Sequence, residues 1–150
     1  MPRVVREADV VWEGNVARGA GAITAASSGA FAGLPYSLPT RIGAAEGKTS
    51  PEELLAAAHG GCYSMSLANE LTEAGTPPQR LDVRCAITLD EVEGQGHRIV
   101  RSALEARGRV PGATSESFAA AAAKADEGCT FSHLLRASAI VTVNALLEPA

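Results

Sequence analysis

Ser50-Pro51-Glu52-Glu53-Leu54-Leu55-Ala56-Ala57-Ala58-His59-Gly60-Gly61-Cys62 is the stretch on which the fold turns. Ser50 reads as a helix N-cap, Pro51 takes the first helical position, and Glu53 completes a capping box. Gly75 followed by Thr76-Pro77-Pro78 stops the helix. A helix from Pro51 to Ala74 is about 36 Å long at 1.5 Å per residue. Between Leu54 and Gly61 no face carries a charge, so this half of the helix is expected to be buried all round. Either a sheet wraps it, or a second subunit covers one side.

Strands flank this helix. Ala8-Asp9-Val10-Val11-Trp12 and Gly21-Ala22-Ile23-Thr24-Ala25 lie on either side of the turn signal Glu13-Gly14-Asn15. Turn residues dominate from Ser27 to Pro39, with Phe31, Leu34 and Tyr36 as apolar anchors, and 43–49 reads as an exposed loop. Beyond the helix, Val83, Cys85, Ile87 and Leu89 alternate with Asp82, Arg84, Thr88 and Asp90. Across Gly94-Gln95-Gly96, Val100, Ser102, Leu104, Ala106, Gly108 and Val110 alternate with Arg101, Glu105, Arg107 and Arg109. Two period-2 runs across a short loop predict an antiparallel hairpin with one wet face.

A second helix is expected from Ser115 to Glu127, capped by Thr114 or Ser115 and stopped by Gly128. A short helix begins near Cys129, and Ala139–Ala145 closes the chain as a strand. The order β-β-β-α-β-β-α-α-β has no regular βαβ alternation, so the fold class is α+β.

The 150 residues fit a single domain, 1–150, with one core. Aromatic residues are only 4%, so much of that core must be small side chains in close contact. A net charge of -4 without a basic run argues against nucleic acid as the main partner. No apolar stretch approaches the roughly 20 residues of a membrane span, and 1–7 lacks the apolar segment of a secretory signal. Three cysteines in such a chain point to a reducing cytoplasm, where a disulfide is more often catalytic than structural.

The candidate chemistry centres on two of those cysteines. Free cysteine is among the most buried residue types, so Cys62 alone reads as a small core hydrophobe. Gly60 and Gly61 each cost about 1 kcal/mol relative to alanine inside a helix. They make sense where another backbone, or a substrate, approaches the thiol, and helix packing would explain them equally well. Cys129 follows the helix-ending Gly128, and unpaired N–H groups opening the next helix would favour its thiolate. A disulfide with Cys62 requires the two Cα atoms within about 7 Å. A buried thiol with a second thiol in reach is the raw material of a thiol peroxidase.

Arg41, in the rigid segment Tyr36-Ser37-Leu38-Pro39-Thr40-Arg41, is a cation suited to lowering a thiol pKa, and Arg18 competes with it. Either is also consistent with a plain solvated loop arginine. Glu52 lies about 15 Å before Cys62 along the helix. It either holds such a cation or simply complements the helix dipole. Cys85, on the core face of its strand, reads as structural. His59, one turn before Cys62, is either its base or a packing and hydrogen-bonding residue, and the second reading is favoured. A zinc site from Cys62, His59, Cys129 and His133 is the weaker alternative, because no C-x-x-C pair supports it.

At these residues the chain resembles the OsmC branch of the OsmC/Ohr family of thiol-dependent peroxidases. The resemblance runs through Trp12-Glu13-Gly14, Pro35-Tyr36, Thr40-Arg41, Pro51-Glu52-Glu53-Leu54 and Ala57-Ala58-His59 up to Cys62. It continues in Ser64-Met65, Val110-Pro111-Gly112, Phe118, and Cys129 with Ser132. It implies an intertwined α+β homodimer, with antiparallel sheets around two long central helices and active sites at the subunit interface. It implies Cys62 as the peroxidatic thiol, Cys129 as the resolving thiol, and Arg41 with Glu52 as the activating ion pair. The Ohr branch draws its arginine from a glycine-rich turn near the N-terminus, which points to Arg18. The implied activity is reduction of organic hydroperoxides with an external thiol as reductant, in oxidative or osmotic stress defence, without metal, flavin or haem. The same fold would also suit a thiol redox sensor without turnover or a hydrophobic-ligand-binding protein. Thr130 stands where the family usually has proline after the second cysteine.

Overall fold

The computed structural model describes residues 2–150. The chain forms two compact units, Met1–Pro51 and Glu52–Ala150. The first contains β1 (Ala8–Glu13), β2 (Ala20–Ala25), β3 (Leu34–Tyr36) and the short helix α1 (Leu38–Ile42). The strands form an antiparallel sheet in the order β1-β2-β3. Gly21 sits opposite both Trp12 and Tyr36 in register. A Cβ at Gly21 would lie 2.3 Å from the Tyr36 ring, so glycine is what lets Trp12 and Tyr36 meet with centroids 5.5 Å apart.

α1 opens with Ser37 as its cap, the Thr40 N–H donating to Ser37 Oγ. Both β3 and α1 lie where turn residues dominate the sequence. They are too short for either periodicity to register.

The second unit is built on α2 (Pro51–Glu73), which ends one residue before the expected Ala74. Around it lie β4 (Arg80–Val92), β5 (Gly96–Arg109), α3 (Ser115–Gly128), α4 (Thr130–Arg136) and β6 (Ile140–Leu147). β4 and β5 form the expected antiparallel hairpin, with a register shift between Thr88 and Leu89. β6 pairs with β5 in parallel, so the order is β4-β5-β6 and this sheet is mixed. A parallel pair cannot be joined by a tight turn. The chain must therefore cross back over the sheet, and α3 with α4 is that crossing. Thr114 starts α3 through a reciprocal capping box with Ser117.

The core lies between α2, β5 and α3. Tyr63, Leu67 and Leu71 face Leu104, Ala106 and Val110, with Phe118, Ala121, Ala122 and Ala125 from α3. The alanines supply the small, close packing that a chain poor in aromatics requires. Truncating a leucine buried as Leu67 is costs about 2–5 kcal/mol. The Tyr63 hydroxyl is satisfied by donating to Ala122 O at 3.0 Å.

α2 is not buried all round in the single chain. His59, Tyr63, Leu67 and Leu71 form its buried face, while Glu53, Ala57, Gly61, Met65 and Asn69 are exposed. One sheet and one helix cover only one side of a cylinder. Among the described residues no helix is long and apolar enough to cross a membrane.

Candidate active site

The crossing from β5 to β6 sets up the site. Cys129 occupies the corner between α3 and α4 in an extended conformation, ending one helix and opening the next. Its side chain is fully buried in the core cluster, and Cys62, half-buried on α2, packs against that cluster. The two sulfurs are 3.4 Å apart, and both thiols are free. A disulfide needs about 2.05 Å, so the pair lies just outside bonding distance.

Burial is the largest influence on the Cys62 thiol and pushes its pKa up. The backbone N–H of Phe131 opposes this, Cys129 adds to the upward push, and the N–H of Thr130 pulls down. The first turn of α4 thus aims its unpaired donors at Cys62. The sequence pattern offers those donors to Cys129, which instead stands at the N-cap position of the turn and makes no side-chain capping bond there.

Beside the thiols, His59 is fully buried. Its Nδ1 lies 2.6 Å from Ser102 Oγ and its Nε2 lies 2.8 Å from Ser132 Oγ. Burial lowers its pKa, against an upward pull from Asp126 and with a smaller downward push from Arg136. A neutral imidazole has one donor and one acceptor, which matches two hydroxyl partners. His59 therefore has the hydrogen-bonding role favoured from sequence.

Cys85 Sγ lies 3.3 Å from Ser102 Oγ and 3.7 Å from His59 Nδ1, and burial raises its pKa while the Ser102 contact lowers it. A Cβ at Gly60 would lie 3.6 Å from that of Cys85, an ordinary contact, and one at Gly61 would meet nothing. Close approach within the chain therefore requires neither glycine.

Two contacts brace the Cys129 corner from outside. Arg136 pairs with Asp126 across it, and His133 Nε2 is hydrogen-bonded to Glu127 O at 2.6 Å. Among the described residues no cluster of histidine, cysteine and carboxylate side chains is placed to hold a metal ion.

Of the four residues singled out from sequence, the structure brings Cys62 and Cys129 together. Glu52 lies in the first turn of α2, partly buried, and Arg41 is exposed on α1 in the first unit. Arg18 is exposed in the β1–β2 turn, where its N–H donates to Asn15 Oδ1. Sequence reasoning gave no role to Ser102. Its signal was a hydroxyl among Val100, Leu104 and Ala106 on the core face of an alternating strand, where it needs a buried partner.

Comparison with known proteins places this geometry in a lineage. The family model for OsmC-like proteins matches residues 43–144. Peroxiredoxin OsmC of Escherichia coli (strain K12) is 39% identical over 126 residues, covering 84% of this chain and 86% of that protein. Among solved structures, the organic hydroperoxide resistance protein OhrB of Bacillus subtilis superposes with a TM-score of 0.70 at 24% identity, covering 95% of this chain and 98% of that one. The OsmC-like protein of Mycoplasma pneumoniae gives 0.76 at 9% identity, covering 97% and 99%. At such low identities the two structures speak for the fold, while the family match and the E. coli relative speak for descent. A paired-thiol corner on this α+β frame, with a matching sequence across most of its length, makes this chain a member of the OsmC-like protein family.

Proposed function

We propose that this chain, a cysteine-based peroxiredoxin-like enzyme by its kinship with peroxiredoxin OsmC, reduces organic hydroperoxides to alcohols. The 3.4 Å separation of the Cys62 and Cys129 sulfurs carries the reading. The Cys62 thiolate attacks the terminal peroxide oxygen. A sulfur–oxygen bond forms, the oxygen–oxygen bond breaks, and the alkoxide leaves as alcohol after taking a proton. Cys62 is then a sulfenic acid. The Cys129 thiolate displaces its hydroxyl as water, forming the disulfide, and an external thiol returns both cysteines to the reduced state.

Burial opposes formation of the Cys62 thiolate, so a cation has work to do at this site. Arg41 is assigned that role and Glu52 the role of orienting its guanidinium, with Arg18 as the competing donor. The guanidinium would also stabilise charge building on the leaving oxygen. The working assembly is an intertwined homodimer in which 1–150 acts as a single OsmC-like domain, located in the cytoplasm and serving oxidative or osmotic stress defence. Two surfaces support a second copy. One is the exposed Ala57, Gly61 and Met65 face of α2, and the other is β1, exposed along its whole length with Val10 and Val11 outward.

Consumption of cumene hydroperoxide with excess dithiothreitol tests the proposal. Many equivalents should be consumed per subunit, and Cys62→Ser should abolish consumption. Consumption that stops after one equivalent would instead establish a sensor without turnover.

A further inference from the structure

We infer that His59 is a positioning residue for disulfide formation: through Ser132 it ties the start of α4 to α2 and β5, and so holds Cys129 against Cys62. The inference rests on the reading of Cys62 and Cys129 as the peroxidatic and resolving thiols. His59 lies one turn before Cys62 on α2, and Ser132 lies one turn after Cys129 at the opening of α4. The contacts His59–Ser132, at 2.8 Å, and Cys62–Cys129, at 3.4 Å, are therefore adjacent rungs between the same two segments. The other ring nitrogen of His59 is bonded to Ser102 at 2.6 Å, which fixes the imidazole to the central strand of its sheet.

α4 needs such a fixture. It has seven residues, too few for a helix to be stable by itself. Thr130, His133, Leu134 and Arg136 are exposed, and its buried side chains are Ser132 and Leu135. The contacts of Arg136 with Asp126 and of His133 with Glu127 tie α4 to α3, which is itself held to α2 through the shared core and the Tyr63–Ala122 hydrogen bond. Apolar packing of Phe131 and Leu135 holds α4 down without fixing its register, whereas the His59–Ser132 bond ties its first turn directly to the helix bearing Cys62.

The consequence falls on the second chemical step. Once Cys62 is a sulfenic acid, the Cys129 sulfur displaces hydroxyl, which leaves with a proton as water. The rate of this step scales with the fraction of molecules holding Cys129 in line, an intramolecular advantage that is lost when the attacking group swings free. The same tether keeps the N–H groups of Thr130 and Phe131 over Cys62.

The test uses the reduced full-length protein, one equivalent of cumene hydroperoxide, and timed quenching into dimedone, with mass spectrometry separating the Cys62–dimedone adduct from the Cys62–Cys129 disulfide. The parent should yield mainly disulfide. Ser132→Ala should slow disulfide formation about tenfold and enrich the adduct, and Ser132→Thr, which keeps the hydroxyl, should restore the parent ratio. His59→Gln, whose amide spans part of the same gap, should fall between them, and it serves in place of Ser132→Ala if that variant does not fold. A parent ratio in both Ser132→Ala and His59→Gln overturns the inference while leaving the thiol roles intact. A parent that consumes peroxide but forms no Cys62–Cys129 disulfide overturns the thiol roles themselves, and this inference with them.

Discussion

Cys62 and Cys129 stand 67 residues apart in the chain, yet their sulfurs meet at 3.4 Å because the parallel β5–β6 pairing sends the chain back across α2. The topology of the second sheet therefore decides where the second thiol sits. A corner that closes to within about 1.4 Å of a disulfide bond needs no large rearrangement to form it.

The two thiols should separate cleanly by mutation. On the proposed roles, Cys62→Ser removes the atom that attacks the peroxide, and turnover should fall to background. Cys129→Ser leaves that first step intact, so one equivalent of peroxide should still be consumed quickly. Its dithiothreitol-dependent turnover should then depend on direct attack of the external thiol on the sulfenic acid, roughly a hundredfold slower at low thiol concentration. Full turnover in Cys62→Ser with none in Cys129→Ser would reverse the assignment.

Burial raises the Cys62 pKa, and the N–H groups of Phe131 and Thr130 offset part of that rise. A cation over the sulfur favours the thiolate and lowers the pKa further. Arg41→Met should therefore shift the pH profile of Cys62 alkylation by iodoacetamide upward in a Cys129→Ser background. Below the pKa, each unit of upward shift cuts the thiolate fraction about tenfold. Arg18→Met should leave the profile in place. If Arg18→Met moves it and Arg41→Met does not, the activating arginine comes from the β1–β2 turn.

Much of this was legible in the sequence, and the gaps have physical causes. The caps and stops of α2 and α3 and the alternation of β4 and β5 are local signals, and they located those elements to within a few residues. The parallel docking of β6 leaves no local mark, because its residues read the same in either direction. Cys129 was conspicuous through its neighbour Gly128, whereas the meeting of its sulfur with Cys62 depends on that unmarked crossover. The donors of Thr130 and Phe131 were misassigned because a helix start shows which N–H groups are unpaired but not which neighbour receives them. The exposed stripe of α2 shows the converse limit. A charge-free helix reads as buried on every face, whether one chain or an assembly does the burying.

Phe118 packs directly onto the backbone of β5 at Gly108. A Cβ at Gly108 would lie 2.7 Å from the Phe118 ring, which is itself locked in the core. Gly108→Ala should thus destabilise the protein by about 1–3 kcal/mol through overpacking. Thermal unfolding should show this as a drop of several degrees. Phe118→Leu combined with Gly108→Ala should recover part of the loss, since the smaller side chain vacates the contested space. A double variant no more stable than Gly108→Ala would mean that the strand itself, not the ring contact, requires glycine.

The buried imidazole of His59 carries a pH dependence whose sign is fixed by its environment. Burial disfavours its charged form, Asp126 from α3 partly opposes this, and Arg136 from α4 reinforces it, so its folded pKa lies below the ordinary value of about 6.5. The unfolded chain then binds a proton more readily than the folded one as the pH falls through 6.5. By linkage the contribution to stability is fully present above that pH and is progressively lost below it, down to the folded pKa. Protonation would also leave an imidazolium with two donors facing Ser102 and Ser132, where the neutral ring has one donor and one acceptor. Denaturant midpoints measured between pH 7.5 and 5 should fall on acidification. His59→Gln, less stable at neutral pH but unable to take up the proton, should show a flatter fall over the same range. Equal slopes in the two proteins would assign the acid sensitivity to other groups.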